Sequence, residues 1–191
     1  MKEEMLKYTA PTAADAWQLI QADLEKEPDL LQYRTQVTLP GVSITLVIDI
    51  DLGGGFESGI SYTSLTAVLS SDPGFKFVLH DEHFLDEVGK FFGMQDIEIG
   101  YAALDKNIVI KSDHPDKVKA LFADEQVRNT LESLQNFSLY TEKDHTDTRL
   151  VLMIEEGITD PNSLQGIFMS YTTLLKEFGI KSNGPIRGPG W

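Results

Sequence analysis

The sequence predicts an α+β protein, a mostly antiparallel sheet of six to eight strands with helices packed mainly on one face. Three observations carry that expectation. Leu31 to Leu39 and Val42 to Leu52 alternate apolar and polar residues with a period of two around Pro40-Gly41. Buried parallel strands read as continuous apolar runs, so this alternation marks an antiparallel hairpin with one dry face. Separate stretches repeat apolar residues at helical spacing, above all Leu164, Ile167, Phe168, Tyr171, Leu174, Leu175 and Phe178. From Gly59 onward the order strand, turn, strand, helix comes three times, without enough identity between the units to make a sequence repeat.

The first helix opens at Thr12, where a hydroxyl can take an orphan backbone N–H and Asp15 follows three residues later. Ala13, Ala16, Trp17, Ile20 and Leu24 form its apolar stripe, and Glu27-Pro28 closes it. In the hairpin, Ile44, Leu46, Ile48 and Ile50 share one parity and are expected under the helices. Ser43, Thr45, Asp49 and Asp51 should face outward, with Arg34 or Gln36 beside them. The first repeated unit joins Gly59–Leu69 to Phe75–His80 through Ser71-Asp72-Pro73-Gly74, then runs into a helix from about His83 to Phe92. The second pairs Ile97–Tyr101 with Asn107–Lys111 and continues through a helix begun at Pro115 and another capped by Asp124. The third pairs Phe137–Thr141 with Thr148–Glu155 and ends in the longest helix, Pro161–Phe178. One domain is expected over residues 1–180. The Gly- and Pro-rich stretch 181–191 reads as an extended or disordered tail.

Composition excludes several function classes. The chain has 191 residues, 41% of them hydrophobic, enough for a sizeable core. Sixteen Lys and Arg against 30 Asp and Glu leave a formal charge of −14. Nucleic acids and anionic membranes require clustered Lys and Arg, so neither is an expected partner. No apolar run has the length of a membrane span, and the start MKEEMLKYTAP lacks the apolar stretch of a signal peptide, which points to the cytoplasm. Zero cysteine removes disulfides, thiolate chemistry and Cys-type zinc sites, in keeping with a reducing compartment.

The stretch FKFVLHDEHFLDEVGKFFGMQDIEIGYAALDKNIVIKSDHPDKVKALF carries a recognisable pattern: Phe84-Leu85, Gly89, Phe92-Gly93, Gln95-Asp96-Ile97, Leu104-Asp105, Ile108-Val109-Ile110 and Ser112 to Pro115. In these positions the chain resembles an uncharacterised bacterial family of small soluble proteins. The resemblance covers about a quarter of the chain well, and implies neither an activity nor a fold.

Four sets of residues could hold chemistry. His80, Asp81, Glu82 and His83 lie between a strand and a helix and could offer three ligands to zinc or another divalent ion, while the structural reading makes the two acids complements of the helix start. Asp49 and Asp51 share a strand face ahead of Gly53-Gly54-Gly55, as cation ligands or as solubility charges on a wet face. No Walker loop, G-x-G-x-x-G or G-x-S-x-G is present. His114 and His145 lie in Asp-rich turns, where exposure is the default. Gln95-Asp96 read as recognition groups or as residues that bond the backbone of the turn after Gly93, and Asp105 as the lock of the Asp105-Lys106-Asn107 turn; the turn reading explains the residue types without a ligand. No catalytic residue, cofactor or resident metal is assigned.

The function favoured by the sequence is a non-enzymatic cytoplasmic binding or interaction domain for an unidentified protein or small molecule. The alternatives are a metal-dependent enzyme built on His80 and His83, and a self-associating structural protein, for which a homodimer through a sheet edge is the natural form.

Overall fold

A computed structural model describes residues 5–27, 29–53, 59–81, 94–144 and 147–179. Its strands are β1 (Leu6–Thr9), β2 (Gln32–Leu39), β3 (Val42–Ile50), β4 (Ser61–Val68), β5 (Phe77–Asp81), β6 (Ile108–Ser112), β7 (Phe137–Asp144) and β8 (Asp147–Ile154). The helices among the described residues are α1 (Ala13–Leu24), α2 (Ala102–Asn107), α3 (Pro115–Leu121), α4 (Glu125–Ser133) and α5 (Pro161–Glu177). All eight strands join one open sheet in the order β1-β2-β3-β4-β8-β7-β5-β6. Only β1 and β2 run parallel; every other neighbouring pair is antiparallel. The fold is α+β, as the sequence predicts.

Local chemistry explains the elements. Thr12 accepts a hydrogen bond from the Asp15 N–H and returns its own hydroxyl to the Asp15 carboxylate at 2.6 Å, so α1 starts with a reciprocal cap. Asp124 caps α4 by accepting from Val127 N, and Asp160 caps α5 by accepting from Ser163 N. Gly41 turns the β2–β3 hairpin with φ of 86°, a left-handed conformation that glycine adopts without a Cβ clash.

The core lies between one face of the sheet and the helices. Ile44, Leu46 and Ile48 from β3, Leu65 and Ala67 from β4, and Leu150, Leu152 and Ile154 from β8 are buried against Trp17 and Ile20 of α1 and Leu164, Phe168 and Tyr171 of α5. α5 packs on α1, α3 and α4 and so organises the layer. The far face divides in two. Over β2 and β3 it is polar and wet, with Arg34 and Thr38 exposed and Ser43, Thr45 and Asp49 half-buried. Over β5, β7 and β8 it is closed, with Val78, Tyr140 and Val151 buried and Met94 packed on them.

Four features depart from the sequence expectation. β1 precedes Thr12 as a strand parallel to β2, and four residues are too few to show a period. The two strands of the first unit do not form a hairpin: β4 pairs with β3 and β8, β5 pairs with β6 and β7, and two strands lie between them. Ile97–Tyr101 is not a strand. Ile97 N donates to Ile110 O and Asp96 bridges Lys111, but Asp105 then accepts from Ile99 N and Gly100 N, turning the chain into α2. Ile50 is half-buried rather than buried, because β3 ends there at the mouth of a cleft. The helix expected from His83 to Phe92 and the tail 181–191 lie outside the described residues.

Candidate functional site

At the end of the sheet where β3 leaves and β4 enters, three backbone segments are stitched together. Leu30 N donates to Glu27 O, Ile50 N to Leu31 O at 2.7 Å, and Asp51 N to Ile60 O. Between them opens a cleft of about 910 Å³, lined by Glu27, Asp29, Leu30, Leu31, Gln32, Asp49, Ile50, Asp51, Ile60 and Tyr62. Its rim is set by register: Asp49 stands opposite Gln32 on β2 and Tyr62 on β4, so all three share the far face. Gly59 admits no side chain here, since an added Cβ would run into the Asp51 carbonyl.

Two properties distinguish the cleft. Four carboxylates line it, from Glu27, Asp29, Asp49 and Asp51. Asp49 accepts from Gln32 Nε2 at 3.2 Å and Asp51 accepts from Gly53 N at 2.9 Å, bonds that orient the carboxylates without neutralising them. Apolar side chains also stand in water at this end. Leu31 is 47% exposed and Ile60 75% exposed in the lining, and Leu52, next to it in sequence after Asp51, is 76% exposed. They are three of the six large hydrophobics exposed among the described residues, a concentration that scattered surface residues do not show.

A smaller cavity of about 240 Å³ adjoins it and shares Glu27, Leu30 and Gln32. Its charged centre is already matched. Asp23 accepts from Tyr8 Oη at 2.6 Å, from Tyr33 Oη at 3.2 Å and from Lys26 Nζ at 3.0 Å. Burial opposes the charged carboxyl of Asp23, but the bonds from Tyr8, Lys26 and Tyr33 outweigh it and hold the group below the usual aspartate range. The same bond pushes the Tyr8 phenol up to about 12. Lys26 thus has a carboxylate partner in Asp23, outside the four that line the larger cleft.

The other residues singled out by the sequence are dispersed. His80 and Asp81 are buried at the end of β5, and as consecutive strand residues they project to opposite faces. The Asp81 carboxylate accepts from the backbone N–H of Asn136, which adopts a positive φ of 48°, and the helix start it is expected to complement lies outside the described residues. Glu82, His83 and His145 lie outside the described residues. His114 is exposed at the start of α3, 3.1 Å from Asp113. Asp96 pairs with Lys111 across β6, and Asp105 locks the backbone before α2 rather than the turn after it. Among the described residues no group of three or more His, Asp or Glu could hold a metal ion.

Asp49 and Asp51 are thus brought together with partners the sequence reading missed, Glu27, Asp29, Leu31 and Ile60. The available signal was weak: acids on either side of a proline, closely following a helix end. An open α+β sheet with an acidic, partly apolar cleft at one end defines the class of structure. No known family model, curated protein or solved structure matches this chain.

Proposed function

We propose that this protein is a non-enzymatic cytoplasmic binding domain that takes a cationic segment of a partner protein, with apolar side chains among its Lys or Arg residues, in the cleft between β2, β3 and β4. The observation that carries the reading is the meeting of four carboxylates with exposed Leu31 and Ile60 in one cavity of about 910 Å³. Carboxylates alone serve solubility; exposed apolar groups beside them give a cationic side chain's stem something to cover. A net charge of −14 steers such a partner inward and repels anionic ones. Membership of the uncharacterised family that the Phe92 to Ile97 segment resembles belongs to the same proposal.

The metal-dependent alternative gains little support from a buried His80 whose strand neighbour Asp81 projects to the other face. Self-association gains little from edges that are guarded: β1 offers four residues including Lys7, and the 95–97 segment bonds to the outer side of β6.

The test is calorimetric titration with an amidated Lys-Leu-Lys-Leu-Lys peptide. Exposed ion pairs contribute about 0.2–1 kcal/mol each, so Asp49→Asn with Asp51→Asn should weaken binding by about 2- to 30-fold. A Glu-Leu-Glu-Leu-Glu peptide should not bind. Equal affinity in the double variant, or equal binding of the acidic peptide, would place the interaction elsewhere.

A further inference from the structure

On the closed half of the far face, β5 and β7 set His80 directly opposite Ser138. His80 is 5% exposed and Ser138 fully buried. Among the described residues their neighbours on this face are apolar: Val78, Tyr140 and Val151 with Met94 form a cluster, Met153 of β8 stands opposite Ser138, and Val109 of β6 stands opposite His80. A polar pair at this depth must find hydrogen bonds, because such groups in native proteins are nearly always satisfied.

His80 Nδ1 lies 2.7 Å from the carbonyl oxygen of Asp81. A carbonyl only accepts, so Nδ1 carries the proton, and the neutral ring then presents Nε2 as an acceptor. Neither Nε2 of His80 nor Oγ of Ser138 has a hydrogen-bond partner among the described residues. One atom wants a donor and the other has a donor to place. Residues opposite one another in an antiparallel pair have Cβ atoms about 4.5–5.5 Å apart, which keeps the two polar ends within reach of a shared small group.

We propose that a single internal water molecule bridges His80 and Ser138, donating to Nε2 and accepting the Ser138 hydroxyl proton. The site takes a neutral hydrogen-bond donor, because the described side chains beside the pair, Val109 and Met153, carry no counter-charge for an ion. The bridge also fixes strand register: a slip of one residue in β5 would carry His80 to the helix face between Leu139 and Ile110, leaving its ring nitrogens against apolar side chains.

A high-resolution crystal structure tests this directly. The expected result is a water oxygen about 2.7–3.2 Å from both His80 Nε2 and Ser138 Oγ. Direct contact between the two side chains, a protein group on Nε2, or an absence of solvent density there would overturn it. Nitrogen NMR of the imidazole adds a readout that packing alone would not move. The proton should reside on Nδ1, and Ser138→Ala should shift the Nε2 resonance while Thr66→Ala, on the same face, leaves it in place. A proton on Nε2, or no shift in Ser138→Ala, contradicts the bridge.

Discussion

Thr63 ties the sheet to the approach of α5. Its buried hydroxyl donates to Glu156 O at 2.7 Å and accepts from Ile158 N at 2.8 Å, so one side chain satisfies two backbone groups of the 155–158 turn. Valine has nearly the same shape and neither bond. Thr63→Val should therefore destabilise by about 1–3 kcal/mol, the penalty of stranding buried polar groups. Urea unfolding measures it, and a loss under about 0.5 kcal/mol would mean that the turn is held by other contacts. Asp23 supplies a second residue-scale test. Its carboxyl is held below the ordinary range, so its stabilising effect is complete above the ordinary aspartate value near 3.9 and is lost as pH falls through the lowered one. The stability gap between the protein and Asp23→Asn should be widest at about pH 5–7 and shrink toward pH 2. A gap that stays constant over that interval would show that packing, not charge, accounts for the effect.

Among the elements, α5 has most to hold. Leu164, Ile167, Phe168, Tyr171, Leu174 and Leu175 are buried, Tyr171 donates to Leu150 O at 2.7 Å, and the Phe168 ring lies 6.2 Å from that of Trp17. Phe168→Ala should cost about 3–5 kcal/mol in chemical denaturation, the range for emptying a core aromatic site, and under about 1 kcal/mol would mean the stripe is not the core. Helices such as α1, α4 and α5 were legible because spacing and capping are local: Thr12, Asp124 and Asp160 each accept the N–H three residues on. The parity of β3 was legible for the same reason, and Ile44, Leu46 and Ile48 face the core while Asp49 looks outward. Strand neighbours were not. Backbone edges are chemically alike, so nothing in the Gly59–Leu69 segment announces that β8 rather than β5 takes its open side. The cleft follows the same rule: Asp49 and Asp51 could be named from alternation, but Glu27, Asp29 and Ile60 join them only once the loops before β2 and β4 fold against the end of β3. Gly100, with φ of 82°, and the Asp105 carboxylate turned an expected strand into the entry of α2, a local device read as belonging to the following turn.

For the molecule as a whole, the sheet separates two jobs. One face carries the helical core. The other is closed over β5, β7 and β8 and open and polar over β2 and β3, leading to the acidic cleft. Glu155 and Glu156 are exposed on the turn that Thr63 anchors and add charge near this end, so attraction for a cation should weaken as salt shortens the Debye length from about 30 Å at 0.01 M to 8 Å at 0.15 M. Exposed Leu31 and Ile60 should preserve part of the binding after screening. The most direct measurement is amide chemical-shift mapping of the protein titrated with the amidated Lys-Leu-Lys-Leu-Lys peptide at low and physiological salt. The account predicts saturable shifts concentrated at Leu31, Gln32, Asp49, Asp51, Ile60 and Tyr62, weaker but in the same place at higher salt. Shifts spread over the surface in proportion to local charge, or none at these residues, would contradict it.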